Sequence, residues 1–382
     1  MRKIELLMLF VALILTVSCK KEDDTEPTNN SQQSFSELET KIVGEMTKES
    51  INGLSAFIIK GNETVWIKGF GKADVANNKE VSKDTPFMLG SVSKAVTSIV
   101  LLTLYDAGKF KLDDNINDYL PFKVINPHHP NETITFKMLL AHAGSINDAG
   151  YDELDDSKIY TFGGDTSLDL GEFLKDYLVD GGKYYSTDSY TKDKPGAGFK
   201  YSNVGSALCG YLAEAISGEK FSDYSKKVLF TPLGMNNTGW WLKDVNIDQV
   251  AIPYQNDGTA IQHYTFVDYP NGQLRSSVED MSKLMLMFMQ QGTLNGQKIL
   301  ESTTVDLIKA RAGFVDSSNF GLSWYYDKTS AGDEILGHNG SERGVQTEFF
   351  LDTKSGVGVM VTANKTTSLV SIRDLLFEEA KK

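Results

Sequence analysis

A serine and a lysine three residues apart, Ser91 and Lys94, have the types and the spacing for chemistry. A serine hydroxyl is a weak nucleophile until a base takes its proton, and a lysine becomes such a base when burial disfavours its ammonium form. The pair opens a strongly apolar segment that predicts a helix from about Val92 to Asp106, so both side chains share one helix face. The partial positive charge at the N-terminal end of that helix favours an oxyanion. The alternative is a helix-capping serine followed by a surface lysine.

A second polar group, Tyr201-Ser202-Asn203, precedes another apolar helix predicted from about Val204 to Ser217. A loop side chain held by a rigid helix is well placed to act. Tyr201 beside a lysine ammonium would serve as a proton shuttle, and Asn203 offers a donor and an acceptor to a substrate amide. Taken alone, the segment favours a packed tyrosine and a helix-capping asparagine.

A third group, His338-Asn339-Gly340-Ser341, ends a strand predicted over Glu334 to His338 and lies in a glycine-rich turn. A glycine at this point lets a ligand approach the backbone. A lone histidine is more often structural than functional. Arg343 follows two residues after Ser341.

The elements that must position these groups predict an α+β fold. Strands are predicted near both ends of the chain and helices between them, which indicates one antiparallel sheet built from both termini and flanked by helices. A mostly helical region of about residues 92–290 is inserted, within a single domain over residues 34–382. The predicted strands are 53–60, 64–69, 321–326, 334–338, 345–351 and 357–363, and the first and last helices begin at Ser34 and at about Ser368.

Together the three groups resemble the motifs of the penicillin-recognising serine hydrolases, in which S-x-x-K is followed by two further polar motifs. The Tyr-x-Asn and His-x-Gly forms point to the branch of class C β-lactamases, DD-carboxypeptidases, D-aminopeptidases and β-lactamase-fold esterases. The resemblance runs from about Glu37 to the C-terminus and implies a β-lactamase/transpeptidase-like sandwich. An α/β-hydrolase is the weaker alternative, because no G-x-S-x-G elbow surrounds Ser91. Four further stretches look like family landmarks: 69–74, 135–142, 232–235 and 274–281.

The resemblance implies a role for each matching residue. Ser91 would be the acylated nucleophile, and Lys94 and Tyr201 would share the proton transfers. Asn203 would orient the substrate. His338 would support the proton network of Tyr201 or contact the substrate.

The third motif also implies an oxyanion hole and a preference among activities. The backbone N–H groups of Ser91 and of Ser341, next to Gly340, would hold the oxyanion. True β-lactamases carry lysine at the position of His338, where it serves the carboxylate of the antibiotic. An esterase or DD-carboxypeptidase-like hydrolase of a small-molecule or peptide substrate is therefore favoured over a class C-like β-lactamase or penicillin-binding protein. Arg343 is either a substitute carboxylate contact or a surface arginine, and a non-catalytic ligand-binding lipoprotein is the third alternative.

Composition excludes several other classes. Lys and Arg number 38 and Asp and Glu 51, so the net charge of −13 leaves no basic footprint for nucleic acid. Two cysteines cannot form a disulfide framework or a cysteine-rich metal site. The five histidines lack metal-ligand spacing, so neither a metal nor another cofactor is predicted. No signal indicates an oligomeric state.

The first residues of the chain predict export. Arg2 and Lys3 precede a short apolar run that ends at Cys19 in a lipobox-like sequence, which predicts a lipoprotein signal peptide over residues 1–19 and lipidation of Cys19. An ordinary signal peptide or an uncleaved anchor is the alternative. Residues 20–33 are polar and predict a flexible tether. The expected location is the cell envelope, at the outer membrane through the lipid anchor, with surface display and the periplasmic side both open.

Overall fold

The computed structural model describes residues 30–316 and 319–382. Its strands are β1 (Gly53–Lys60), β2 (Glu63–Asp74), β3 (Lys79–Glu80), β4 (Phe87–Met88), β5 (Tyr160–Phe162), β6 (Tyr264–Phe266), β7 (Arg275–Ser276), β8 (Thr293–Leu294), β9 (Gln297–Lys298), β10 (Tyr325–Lys328), β11 (Glu334–Glu342), β12 (Val345–Asp352) and β13 (Val357–Ala363). Its α-helices are α1 (Asn30–Lys48), α2 (Val92–Asp106), α3 (Phe136–Leu140), α4 (Ala149–Asp152), α5 (Leu170–Leu178), α6 (Asn203–Ser217), α7 (Phe221–Ser225), α8 (Val278–Met289), α9 (Ser302–Lys309) and α10 (Val370–Ala380).

Seven of the strands form one antiparallel sheet in the order β10-β11-β12-β13-β1-β2-β3. The two ends of the chain meet where β1 pairs with β13, with Leu54 opposite Ala363 and Lys60 opposite Val357. The prediction of one antiparallel sheet built from both termini is confirmed.

Each face of this sheet is covered by helices, because side chains of β1 alternate between two apolar layers. Leu54 and Ile58 pack with α1 and α10 on one face, whereas Phe57 and Ile59 belong to the larger core that contains α2 and α8. Helix α2 has its first eleven residues buried and contacts both α6 and β11. Helix α2, which carries Lys94 in its first turn, therefore lies in the centre of the protein, between the sheet and the helical region.

Several predicted boundaries are wrong. Strand β11 continues to Glu342, so His338 lies inside a strand and not in a terminal turn. The strand predicted to start at Gly321 starts at Tyr325. Helix α6 starts at Asn203, one residue earlier than predicted.

The N-terminal predictions fall mostly outside the described residues. The signal peptide, Cys19 and the tether up to residue 29 all lie there. The first helix begins at Asn30 and not at Ser34, so the predicted tether cannot extend to residue 33. In the part of the chain that the structure describes, no helix is both long and apolar enough to cross a membrane.

Candidate active site

Ser91 lies at the first turn of α2 but does not cap it. Its φ of −64° and ψ of −7° are already helical, and its hydroxyl makes no capping bond to the helix backbone. The hydroxyl oxygen instead accepts a hydrogen bond from Lys94 Nζ at 3.0 Å. The capping alternative is therefore wrong, and the Oγ atom is held by the residue that could take its proton.

Lys94 is a core residue whose side chain is 1% exposed. Its Nζ donates a second hydrogen bond to the backbone oxygen of Asn271 at 2.9 Å and lies 5.0 Å from the centroid of the Tyr201 ring. The surface-lysine alternative is thus also wrong. Two oxygens and an aromatic face surround the amine.

Two buried histidines flank the Tyr201 ring. The ring centroid of His142 is 4.5 Å from that of Tyr201, and the centroid of His338 is 6.2 Å away. Burial, with the nearby charge of Lys94, lowers the pKa of His338 to about 3, and the same causes lower the pKa of His142 well below its ordinary value. Both imidazoles are therefore neutral near pH 7.

The hydrogen bonds of the two histidines assign their tautomers. The Nδ1 of His338 contacts the carbonyl oxygen of Asn339, which requires a proton on Nδ1. The Nδ1 of His142 accepts the backbone N–H of Ser202 at 3.2 Å, which places its proton on Nε2. Both Nε2 atoms are buried and lack a hydrogen-bond partner among the described residues. His338 thus presents an acceptor and His142 a donor beside Tyr201.

The turn before α2 and strand β11 approach each other closely because both carry glycine. Gly90 has a φ of +54°, and a Cβ there would lie 2.7 Å from the backbone nitrogen of Ser341. A Cβ at Gly340 would collide with the carbonyl oxygen of Leu89 and would lie 3.0 Å from the backbone nitrogen of Ser91. The two glycines therefore bring together the two backbone amides that are predicted to hold an oxyanion.

Asn203 is carried to the site by the start of α6, which Ser202 caps. The Ser202 Oγ accepts the N–H of Gly205 at 2.8 Å and donates to Asp148 Oδ1 at 2.6 Å. Asp148 also accepts the N–H groups of Asn203 and Val204. The asparagine is thus not the cap, as the alternative had it, and its side chain is only half-buried.

Asp148 is a site-supporting residue that the sequence did not indicate. Burial raises its pKa, while the hydrogen bonds from Ser202 and the α6 backbone lower it. It lies 54 residues from Ser202 in the chain. No local spacing relates two residues so far apart, so only the fold could reveal the pair.

Arg343 is engaged by another part of the protein. Its guanidinium donates to both carboxylate oxygens of Asp156, at 2.7 and 2.8 Å, and lies 4.4 Å from the ring centroid of Tyr160. The hydrogen bond to Asp156 raises the pKa of Arg343 further. The guanidinium group that was a candidate to bind a substrate carboxylate is therefore bound by a carboxylate of the same chain.

The arrangement has the components of acyl transfer. A hydroxyl, a buried amine, a phenol and a pair of backbone amides converge near Ser91. Over residues 30–316 and 319–382, no group of three histidine, cysteine or acidic side chains is arranged to hold a metal ion.

Comparisons with known proteins show the family of the chain. The family model described as Beta-lactamase matches residues 38–380. Protein flp of Staphylococcus aureus (strain NCTC 8325 / PS 47) is 24% identical over 348 residues, which cover 90% of this chain and 65% of flp, so the chain spans about two thirds of that relative's length.

Two solved structures share the fold. The octameric penicillin-binding protein homologue from Pyrococcus abyssi is 25% identical with a TM-score of 0.74, covering 90% of this chain and 77% of its own. The D-amino acid amidase from Ochrobactrum anthropi SV3 is 21% identical with a TM-score of 0.72, covering 92% of this chain and 99% of its own.

Proposed function

The chain belongs to the β-lactamase family, and from this premise we propose that it is a serine hydrolase that cleaves an ester or a D-amino-acid amide or peptide through an acyl-enzyme on Ser91. One observation carries the proposal: the Ser91 hydroxyl is bonded at 3.0 Å to the amine of Lys94, which is buried in the centre of the domain. A lysine with a purely structural role would not require a partly exposed serine as its hydrogen-bond partner.

Acylation follows from these positions. Lys94 in its neutral form takes the proton of Ser91 Oγ as that oxygen bonds to the substrate carbonyl carbon. The carbonyl oxygen becomes an oxyanion, which the N–H groups of Ser91 and Ser341 stabilise. When the carbon–leaving-group bond breaks, the leaving oxygen or nitrogen receives a proton through Tyr201, whose ring faces the new ammonium.

Deacylation repeats the same steps with water. Tyr201 and Lys94 remove a proton from a water molecule as its oxygen attacks the acyl carbon, and Ser91 Oγ leaves with a proton returned by Lys94. Asn203 is the first residue of α6, and its half-buried side-chain amide is available to orient a substrate carbonyl or N–H.

The charges near β11 favour esters and D-amino-acid amides over β-lactam antibiotics. An antibiotic carboxylate needs a cation, but His338 is neutral with a pKa of about 3 and the Arg343 guanidinium is paired with Asp156. The amidase from O. anthropi, which has the same fold, is named for D-amino acids and lends support to the amide alternative. A class C-like β-lactamase or penicillin-binding protein is the second candidate.

We also propose that the mature protein is a lipoprotein attached to the cell envelope through Cys19, at the outer membrane. The basic start, the apolar run and the cysteine of residues 1–19 support it. Expression of the full chain with Cys19→Ala should release the protein from the membrane fraction and abolish palmitate labelling. Unchanged fractionation and labelling of the variant would contradict lipidation.

The substrate class is tested with the purified protein and Ser91→Ala in parallel. The probes are p-nitrophenyl esters, D-Ala-D-Ala peptides, D-amino-acid amides and a chromogenic cephalosporin. We expect turnover of esters or D-amides that Ser91→Ala lacks, with slow or no cephalosporin hydrolysis. Rapid cephalosporin turnover would favour the second candidate. No reaction with any substrate or with a fluorophosphonate would favour a ligand-binding protein that has kept the fold.

A further inference from the structure

The turn of residues 270–274, which lies against Lys94, is hydrogen-bonded to α2 at three points. Asn271 O accepts from Lys94 Nζ at 2.9 Å, and Pro270 O accepts from the Thr97 hydroxyl at 2.7 Å. The N–H of Leu274 donates to Ser93 Oγ at 3.1 Å. The turn therefore cannot move without moving the first two turns of the helix that carries Ser91.

The same turn is organised by a carboxyl group, that of Asp268, which is completely buried. Asn271 Nδ2 donates at 2.6 Å both to Asp268 Oδ2 and to Asp268 O, and the Tyr151 hydroxyl donates to Oδ1 at 3.2 Å. No lysine or arginine forms an ion pair with this carboxyl group in the described part of the chain. A continuous set of contacts thus runs from Tyr151 through Asp268 and Asn271 to Lys94.

We propose that Asp268 is a positioning residue for the proton transfer: it holds the Asn271 carbonyl against Lys94 Nζ and supplies a negative charge behind the ammonium that forms there. This inference rests on the proposed function. When the proton moves from Ser91 Oγ to Lys94 Nζ, a positive charge appears on an amine that is almost fully buried. The carbonyl dipole and the carboxylate stabilise that charge in the transition state, where bulk solvent cannot.

The charge on Asp268 depends on pH. Burial raises its pKa to about 7, against the hydrogen bond from Tyr151 and the charge of Lys94, which lower it. The titratable groups facing it are Lys94 on α2, Asp148 before α4, Tyr151 on α4 and Tyr160 on β5. The carboxylate is present above about pH 7 and absent well below it, so its contribution to acylation should appear only on the alkaline side.

Asp268→Asn tests this, because asparagine keeps the size of the side chain and can accept from Asn271 but carries no charge. The measurement is kcat/KM and the burst rate of p-nitrophenyl butyrate from pH 5 to pH 9.5. We expect acylation by the variant to be about 10-fold slower at pH 9 and within about twofold of the parent at pH 5.5, with KM little changed. A loss of the same size at every pH, or no loss at pH 9, would overturn the proposal, since a purely structural residue behaves in that way.

Two further variants make the test decisive. Asp280→Asn removes another buried carboxylate, whose partners are Asn237, Thr238 and Lys283, and should leave the pH profile of acylation unchanged. Tyr151→Phe removes the bond that favours the Asp268 carboxylate, so the break in kcat/KM should move to higher pH by about half a unit to one unit. A profile of Tyr151→Phe identical to the parent would contradict the proposal even if Asp268→Asn did not fold. Failure of the proposed function itself is distinct, because then either the parent would show no turnover or Ser91→Ala would remain active.

Discussion

Replacing Lys94 by methionine should make the protein more stable and almost inactive at once. Methionine has nearly the volume of the lysine side chain and no charge. Lys94 is 1% exposed, and its amine has a serine hydroxyl and a carbonyl oxygen as hydrogen-bond partners but no carboxylate in direct contact within the described residues. A buried amine with so few partners lowers stability whether it is charged or has been deprotonated, and it is retained for chemistry.

The two expected changes can be estimated from these contacts. Taking a lysine amine out of water costs several kcal/mol, either as a buried ammonium or as the free energy of deprotonating it. Methionine leaves the Asn271 oxygen without its donor, which costs about 1–3 kcal/mol. The net gain is about 1–3 kcal/mol, and at ~2.1 cal/mol/K per residue over about 350 residues this raises Tm by about 1–4 °C. Loss of the base lowers the acylation rate by about 10²–10⁴-fold.

The assay combines differential scanning calorimetry with the burst phase of a p-nitrophenyl ester. Lys283→Met is the matched control, since Lys283 Nζ also donates to a backbone carbonyl, that of Gly234, but pairs directly with Asp280. That variant should lose stability, because it leaves a buried carboxylate unpaired, and should acylate like the parent. A Lys94→Met protein that acylates within tenfold of the parent, or that melts several degrees lower, would refute the reasoning.

The remaining predictions concern the α6 cap Ser202, the paired Arg343 and the buried His338. Ser202→Ala should lower the unfolding free energy by about 1–2 kcal/mol, because α6 loses its cap and Asp148 a donor; urea unfolding midpoints check this, and an unchanged midpoint would contradict it. Arg343→Gln should cost less than about 1 kcal/mol in the same assay, since both partners in the ion pair are substantially exposed, and should leave kcat/KM for neutral esters within threefold; a large drop would mean that Arg343 contacts neutral substrates after all. His338 has a pKa of about 3 in the fold and about 6.5 when unfolded, so the unfolded chain binds the extra proton between those values and stability falls as pH drops through that window. His338→Gln should therefore lose about 2 kcal/mol less than the parent between pH 7 and pH 5, and equal losses would contradict a neutral buried imidazole.

Much of the framework was predictable because its signals are local. The apolar run after Ser91 predicted α2 with its observed ends, and the alternation of strands and turns at both ends of the chain predicted the sheet. Ser91 and Lys94 are three residues apart on one helix, so their contact needed only helix geometry. The family motifs then linked them to Tyr201 and His338, which the structure brings to the same site.

What escaped prediction depends on contacts between distant parts of the chain. Asp148 and Asp268 reach the site through loops whose sequences carry no periodic pattern, and each carboxyl group bonds to a hydroxyl far away in the chain, that of Ser202 or of Tyr151. Arg343 was open between a carboxylate contact and a surface arginine, and its guanidinium pairs with Asp156, which lies 187 residues away in the chain. Such pairs depend on how the loops pack against the helices and the sheet, which no local pattern encodes.

The central claim is that Ser91 is the residue acylated. It is tested most directly by intact-protein mass spectrometry and peptide mapping after reaction with a fluorophosphonate and, at short times, with a p-nitrophenyl ester. The account predicts one adduct per chain, located on Ser91, with none on Ser91→Ala and strongly slowed formation on Lys94→Met. An adduct on another residue, or equal labelling of Ser91→Ala, would contradict it.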